Sequence, residues 1–538
     1  MQENKSKFKK SFILGGLIGT GGLFVAKLIG LLYAIPFSSI LGSDAYMSYY
    51  GTSYRIYNYL LNIFTAGIPF AISSLVAKYL VKNDYKSVLK LKKISIGMLV
   101  LTGLVGMALM VVFAQFIPYA VTTGEGIPLL RRTLVILSLA VLFVPPLSAF
   151  RGYYQGHKEM SQYAFSQAFE QFFRVGFLLG LSYLLVYVFN LERKWALYIS
   201  VLSTSVAAIA AILQYFLFDK KRDPEIRENA KKQEDGGKSI KALRKELIML
   251  AIPYLLMAIL GYSDDITYSI LIPIGLRVHG YSQSVMDSIL SSVNYVGPKL
   301  NAIPLILAPG FVSALIPYMS EAVAKNDKKS VAKYVTDCLN VILYIAFPIV
   351  LAIMFYAFGI FRTLFYTDDI ATSVNVLRCI AVEGILGALS TVIASMMVAL
   401  GLGKYGVKRL GLQCAVKIVL MIPIIYFMGY LGIPFAAIVG TFYICGGNLR
   451  LIQKKYDVDY NPVIRNFVKI CIASFGMWIV FYLLRKIGLD YVEGGRMSSF
   501  IKMVLNGLIT AASYLAISWV LKLPQEILNI GSKKAIQE

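Results

Sequence analysis

Charged side chains set inside long apolar stretches are the residues of this 538-residue chain whose chemistry demands an explanation. Lys27 lies deep in the apolar stretch 12–40. Arg55 is followed by Asn58 and Asn62 at i+3 and i+7, one polar stripe if the segment is helical. In the second half of the chain a Gly297-Pro298 turn introduces Lys299 and Asn301. A cation in hydrocarbon is costly, so each of these must meet an anion, line water or reach the interface. Gathered around one cavity they suit a phosphate or pyrophosphate. For Arg55 and Lys299, near the outer ends of their spans, snorkelling competes equally with that role, whereas the depth of Lys27 favours it. Arg174 sits among Gln167, Glu170 and Gln171 at helical spacing. Glu170 and Arg174, at i and i+4, either neutralise each other or serve a substrate, and the first is the simpler reading. Glu170, Asp264, Asp265 and Glu383 are the carboxylates able to exchange a proton or coordinate sodium in a transport cycle. A twin Asp at the end of a span equally suits a helix break.

Other chemistry is poorly supplied. The only histidines are His157 and His279, and the five cysteines fall in apolar segments without paired spacing, so no metal site is expected. Gly237-Lys238-Ser239 has Lys232 where a P-loop needs its first glycine, which excludes an ATP site there. No cofactor is expected; an ion gradient or the membrane potential is the energy source to consider.

The elements that must position these residues follow from composition. The chain is 57% hydrophobic and 15% charged, with a mean hydropathy of +0.67. A soluble chain carries roughly 25% charge, so lipid must be the solvent here. Apolar windows of about twenty residues predict an all-α polytopic membrane protein with about fourteen spans. They cover 12–40, 54–77, 94–116, 130–150, 162–188, 196–218 and 247–273, then 298–320, 336–358, 374–400, 408–428, 432–449, 465–484 and 499–521. The first span follows Lys5, Lys7, Lys9 and Lys10 but is too long for a signal peptide and is expected to be retained. The net charge of +24 lies mostly between spans, which argues for membrane orientation and against nucleic acid. Alternate loops carry about 36 and about 10 Lys and Arg, which places both termini in the cytoplasm.

Internal similarity divides the chain. KNDYKSVLK at 82–90 and KNDKKSVAK at 325–333 share seven of nine residues at an offset of 243, and Asn58, Gly67 and Ala71 match Asn301, Gly310 and Ala314 at the same offset. Both basic segments fall on the same side, so the repeat is a parallel one. The expected organisation is a six-helix lobe over 1–218, a lysine-rich cytoplasmic linker over 219–246, a second six-helix lobe over 247–449, and a terminal helix pair with its tail over 450–538.

After Pro145-Pro146-Leu-Ser-Ala-Phe150 comes RGYYQG, with Arg151, Gly152, Gln155 and Gly156 in a loop between the fourth and fifth spans. With Ala71-Ile-Ser-Ser-Leu-Val-Ala-Lys78 and fourteen spans in two lobes, this resembles the multidrug/oligosaccharidyl-lipid/polysaccharide exporter superfamily, in particular its Gram-positive polysaccharide-transport branch of MurJ-type lipid II flippases and SpoVB-like sporulation proteins. The resemblance implies a bacterial plasma-membrane flippase, not an enzyme. It would carry an undecaprenyl-pyrophosphate-linked oligosaccharide, foremost lipid II, from the inner to the outer leaflet by alternating access. Its implied partners are that lipid-linked substrate, membrane lipids and the cell-wall synthesis machinery. Gram-negative relatives line the cavity with arginines; Lys27 falls where one would stand, Tyr33 where another would, and Asn62 replaces a third. Two alternatives remain at this point. A multidrug or cation exporter should favour an acidic, aromatic cavity. A membrane-embedded glycosyltransferase needs a base on a substantial outer loop, where the longest, 277–297, offers only Asp287.

Overall fold

The computed structural model describes residues 29–234, 236–313 and 316–528. Its regular elements among those residues are all helical. Among the described residues eleven helical stretches are long and apolar enough to cross a membrane, and the longest, Gly403–Tyr456, folds as two helices, Gly403–Met428 and Gly432–Tyr456, joined at Gly429–Leu431. The chain is a multi-pass membrane protein. Several helices exceed the bilayer. Tyr85–Val121 has 37 residues, about 55 Å at 1.5 Å per residue against roughly 30 Å of hydrocarbon, so its lysine-bearing first turns project beyond the apolar layer.

The second span is not one helix. Asp44–Thr65 and Ile68–Val81 are separated at Ala66-Gly67, where Gly67 takes φ +67° and Pro69 opens the next helix. A side chain on Gly67 would be strained by that φ and would press into Tyr254. The Asp264/Asp265 segment is likewise preceded by a break, with Ile240–Gly261 ending at Tyr262 before Ser263–His279 begins.

The repeated KND turns adopt one local structure. Asn83 and Asn326 both sit at φ +55°, ending a helix in the left-handed region. Asp84 and Asp327 then cap the next helix by accepting from the Ser87 and Ser330 amides, at 3.0 and 3.1 Å.

The chain forms two compact units, Met1–Pro273 and Ile274–Glu538. The first centres on Gly126–Gly156, which packs against the Asp44–Thr65, Ile68–Val81, Tyr85–Val121 and Lys194–Lys232 helices. Ile240–Gly261 packs on three of these and so belongs to the same unit. The second unit centres on Lys328–Thr363, which packs on the terminal pair Asn461–Lys486 and Arg496–Val520. There Tyr356 donates to Asn506 and Thr510, and Tyr514 to the Tyr344 carbonyl. Each unit has its own apolar core.

The stretch 219–246 is largely helical: Lys194–Lys232 carries the preceding helix through it and Ile240 begins the next. Among the described residues of this stretch only 233, 234 and 236–239 are non-helical, and this strap is docked on the first turn of Tyr85–Val121. Gln233 accepts from the Lys86 amide and donates to Asp84, and the Lys238 amide donates to Ser87 Oγ. Burial raises the pKa of Asp84, but hydrogen bonds from Ser87 and Gln233 outweigh that and hold it below the ordinary carboxylate value. The expectation that RGYYQG is a loop is corrected. Arg151, Gly152, Gln155 and Gly156 form the last turns of Gly126–Gly156, not a loop. A Cβ at Gly152 would lie 2.6 Å from the Pro69 carbonyl, and one at Gly156 2.8 Å from the Ser73 carbonyl. These small residues, four apart, let the helix backbone approach Ile68–Val81 closely.

Candidate functional site

The first unit holds a dense polar cluster. On Asp44–Thr65, Tyr50, Tyr54 and Tyr57 recur at i, i+4 and i+7, so they share one face. Tyr50 and Tyr57 are buried, and the Tyr50 hydroxyl lies 2.8 Å from that of buried Tyr33. The Tyr54 ring centre lies 4.4 Å from that of Tyr50, the rings tilted by 39°, and the Tyr54 hydroxyl shares a hydrogen bond with Thr204.

Met160–Tyr183 supplies the charges. The Arg174 guanidinium lies 5.5 Å from the centre of the Tyr33 ring, within electrostatic reach of Tyr50, Tyr54 and Glu170. Its Nε is buried without a hydrogen-bond partner among the described residues. The expected Glu170–Arg174 pair does not form. Glu170 instead accepts from Arg151 Nη2 at 2.6 Å, with both side chains less than one-fifth exposed. Arg151 also donates to the Ser166 carbonyl and hydroxyl, each at 3.3 Å. Spacing along one helix favoured the local partner, but the end of Gly126–Gly156 brings a better-aligned one. Tyr57 lies within reach of all three charges.

The cluster therefore contains two guanidiniums and one carboxylate, a local charge of +1 in a low-dielectric setting, ringed by phenol donors. Such an arrangement suits an anion.

The remaining candidates divide as follows. Lys27 lies outside the described residues. Arg55 is held by Asp265, 3.3 Å from Nη1, and lies over the Tyr268 ring at 4.9 Å. The structure thus joins two residues that the sequence offered for different tasks. Asn58 is exposed, Asn62 donates to its carbonyl at 2.7 Å, and Asp264 is exposed. In the second unit Asn301 is buried and donates to the Ile380 carbonyl at 3.0 Å, beside Gly384. Lys299 and Glu383 are half-buried there.

Sequence reasoning missed the tyrosine ring, although its i, i+4, i+7 spacing was readable. It also missed Lys92, which lies near the start of its helix in a basic run and pairs with Asp219 at 2.7 Å. Lys92 Nζ sits 4.7 Å from the Tyr153 ring centre and 5.7 Å from that of Tyr154, and Tyr154 donates to Asp219. The paired tyrosines of RGYYQG are the walls of this ion pair. Among the described residues no group of His, Cys, Asp and Glu could hold a metal ion.

Comparison with known proteins agrees with this architecture. The sequence model of the family described as polysaccharide biosynthesis protein matches residues 15–323. The chain is 26% identical over 531 residues to the Bacillus subtilis (strain 168) lipid II flippase MurJ, covering 96% of each chain. It is 22% identical over 374 residues to the stage V sporulation protein B of the same organism, covering 69% of this chain and 70% of that protein. Among solved structures, a lipid II flippase MurJ in an inward closed conformation superposes with a TM-score of 0.67 at 16% identity, over 95% of this chain and 99% of that one. An inward-facing multidrug resistance MATE family transporter of the MOP superfamily gives 0.62 at 13% identity, over 80% and 94%. These superpositions establish the fold.

Proposed function

The chain belongs to the polysaccharide biosynthesis protein family, and from that membership we propose that it is a flippase for an undecaprenyl-pyrophosphate-linked oligosaccharide, the peptidoglycan precursor lipid II, moved from the inner to the outer leaflet of the bacterial plasma membrane by alternating access. The observation that carries the reading is the end-to-end likeness to the Bacillus subtilis lipid II flippase. The polar cluster supports it, because a half-buried arginine that forms no ion pair among the described residues, lying over the ring of Tyr33 whose hydroxyl meets that of Tyr50, suits a diphosphate.

In this reading Arg174 and its tyrosines contact the diphosphate together with Lys27. Arg55 and Asp265 form the coupling element, since a proton or cation at Asp265 releases Arg55. In the second repeat Asn301 is the mate of Asn58 and Lys299 lies within one position of the mate of Arg55, while Glu383 is a further carboxylate for ion coupling. Both termini face the cytoplasm in this reading, an orientation that the Lys and Arg asymmetry of the loops supports. The flipped precursor is handed to the cell-wall synthesis machinery. A drug or cation exporter fits less well, because the cluster carries net positive charge and such cargo prefers acidic walls.

The test is depletion of the protein in a cell lacking any redundant flippase, with measurement of lipid II accessible at the outer leaflet. Accessibility should fall as the protein is lost; constant accessibility sinks the substrate assignment.

A further inference from the structure

Two side chains of Met160–Tyr183 carry donors that the fold leaves unused. Arg174 Nε is one. The other is the Gln171 amide nitrogen, Nε2, which is buried and makes no hydrogen bond among the described residues. Gln167, one turn earlier, shows a satisfied glutamine on the same helix, since its Nε2 donates to the Tyr163 hydroxyl at 3.3 Å. In the stretch Met160–Val188, Gln171 is the twelfth and Arg174 the fifteenth of 29 residues, so both stand near the middle of the span. A buried donor at that depth is costly unless an acceptor reaches it.

The two donors also point to one place. Residues at i and i+3 share a helix face, and both of these meet the helix Ile29–Leu41. A Cβ on Gly30 would lie 3.5 Å from Gln171 Nε2, and the Arg174 guanidinium lies over the ring of Tyr33, three residues further along that helix. Gly30 has no side chain to compete for the amide. The separation of Gln171 and Arg174 along the helix axis is about 4.5 Å, so one ligand with two linked acceptor groups can meet both. A hydroxyl or an amide group donates as well as accepts, whereas an ionised phosphate offers acceptor oxygens alone. Two neighbouring donors match two linked phosphates; a single phosphate satisfies the guanidinium and leaves the amide unused.

We propose that Gln171 is the specificity-determining contact that distinguishes a lipid-linked diphosphate from a lipid-linked monophosphate. Arg174 takes one phosphate, and the Gln171 amide donates to an oxygen of the other. This role rests on the flippase reading above and adds to it the residue that reads the second phosphate.

Binding of undecaprenyl diphosphate, undecaprenyl monophosphate and lipid II to the purified full-length chain, titrated by native mass spectrometry, tests it. The wild-type chain should hold the diphosphate more tightly than the monophosphate. Gln171→Met keeps the length of the side chain and removes the donor. It should weaken the diphosphate and lipid II on the order of tenfold, the lower end for a hydrogen bond to a charged group, and leave the monophosphate unchanged. Gln171→Ala should do the same and keeps the test decisive if Gln171→Met misfolds. Gln167→Met should retain the wild-type ratio of the two affinities, because the Gln167 amide is committed to Tyr163. The proposal is overturned by a wild-type chain without preference for the diphosphate, by an unchanged ratio in a folded Gln171 variant, by equal weakening of both lipids, or by the same loss in Gln167→Met. Lipid II binding by the wild-type chain beside an unchanged ratio in the Gln171 variants counts against Gln171 alone. A wild-type chain that binds neither lipid II nor undecaprenyl diphosphate counts against the proposed function and removes the role of Gln171 with it.

Discussion

Removing the Glu170 carboxylate should destabilise the first unit through Arg151. The pair is short, 2.6 Å, and its side chains are 12% and 18% exposed, so little solvent screens it. Glu170→Ala leaves a guanidinium whose remaining contacts are two 3.3 Å hydrogen bonds to Ser166. Breaking a buried pair from one side costs about 3 kcal/mol or more. At roughly 2–4 °C per kcal/mol for a unit of this size, the unfolding midpoint should fall by roughly 6–12 °C. Adding Arg151→Met removes the orphaned charge, and replacing a whole buried pair by apolar groups is often near neutral, so the double variant should recover most of the loss. The assay is thermal unfolding of purified protein in detergent, read by the fluorescence of a thiol-reactive dye on the native cysteines or by loss of monomer on gel filtration. If Glu170→Ala melts with wild type, or if the double variant is worse than the single, Glu170 is not a structural counter-ion. It then returns to the carboxylates available for ion coupling.

Other outcomes follow from the same geometry. Arg174→Ala should weaken lipid II binding roughly tenfold to a hundredfold, because one charge-assisted contact contributes about 1.5–3 kcal/mol; Arg174→Lys should lie between, and an unchanged Kd would remove Arg174 from the site. Asp265→Asn should abolish the response of flipping in proteoliposomes to an imposed ion gradient while substrate binding persists, and a wild-type response would clear Asp265 of coupling. Gly152→Leu should cost about 1–3 kcal/mol by driving side-chain atoms into the Pro69 backbone, whereas Gly176→Leu, which has open space, should melt with wild type. Asp84 has its pKa lowered in the folded state, so its contribution to strap docking is complete above the unfolded value of about 3.9 and is lost as pH falls through the lower folded value. Pepsin cleavage within 233–238 should therefore switch on below that range, and a rate that tracks only the protease's own pH profile would refute it.

What the sequence determined by itself was everything that depends on short-range periodicity and on the cost of polar groups in lipid. Hydropathy located the apolar helices, because a backbone in hydrocarbon has no other way to satisfy its hydrogen bonds within one segment. The KND repeat announced two equivalent capping turns, because an αL asparagine followed by a capping aspartate is local chemistry. The tertiary structure decided what depends on which helices become neighbours. Glu170 turned from Arg174, one turn away in sequence, to Arg151 on another helix. Arg55 found Asp265 across 210 residues of chain, and RGYYQG became a helix end because Gly152 and Gly156 permit contact with Ile68–Val81. Spacing along a helix lists possible partners at one turn. The pairing actually formed is set by the position of a second helix, and that position depends on backbone approach distances summed over the whole unit.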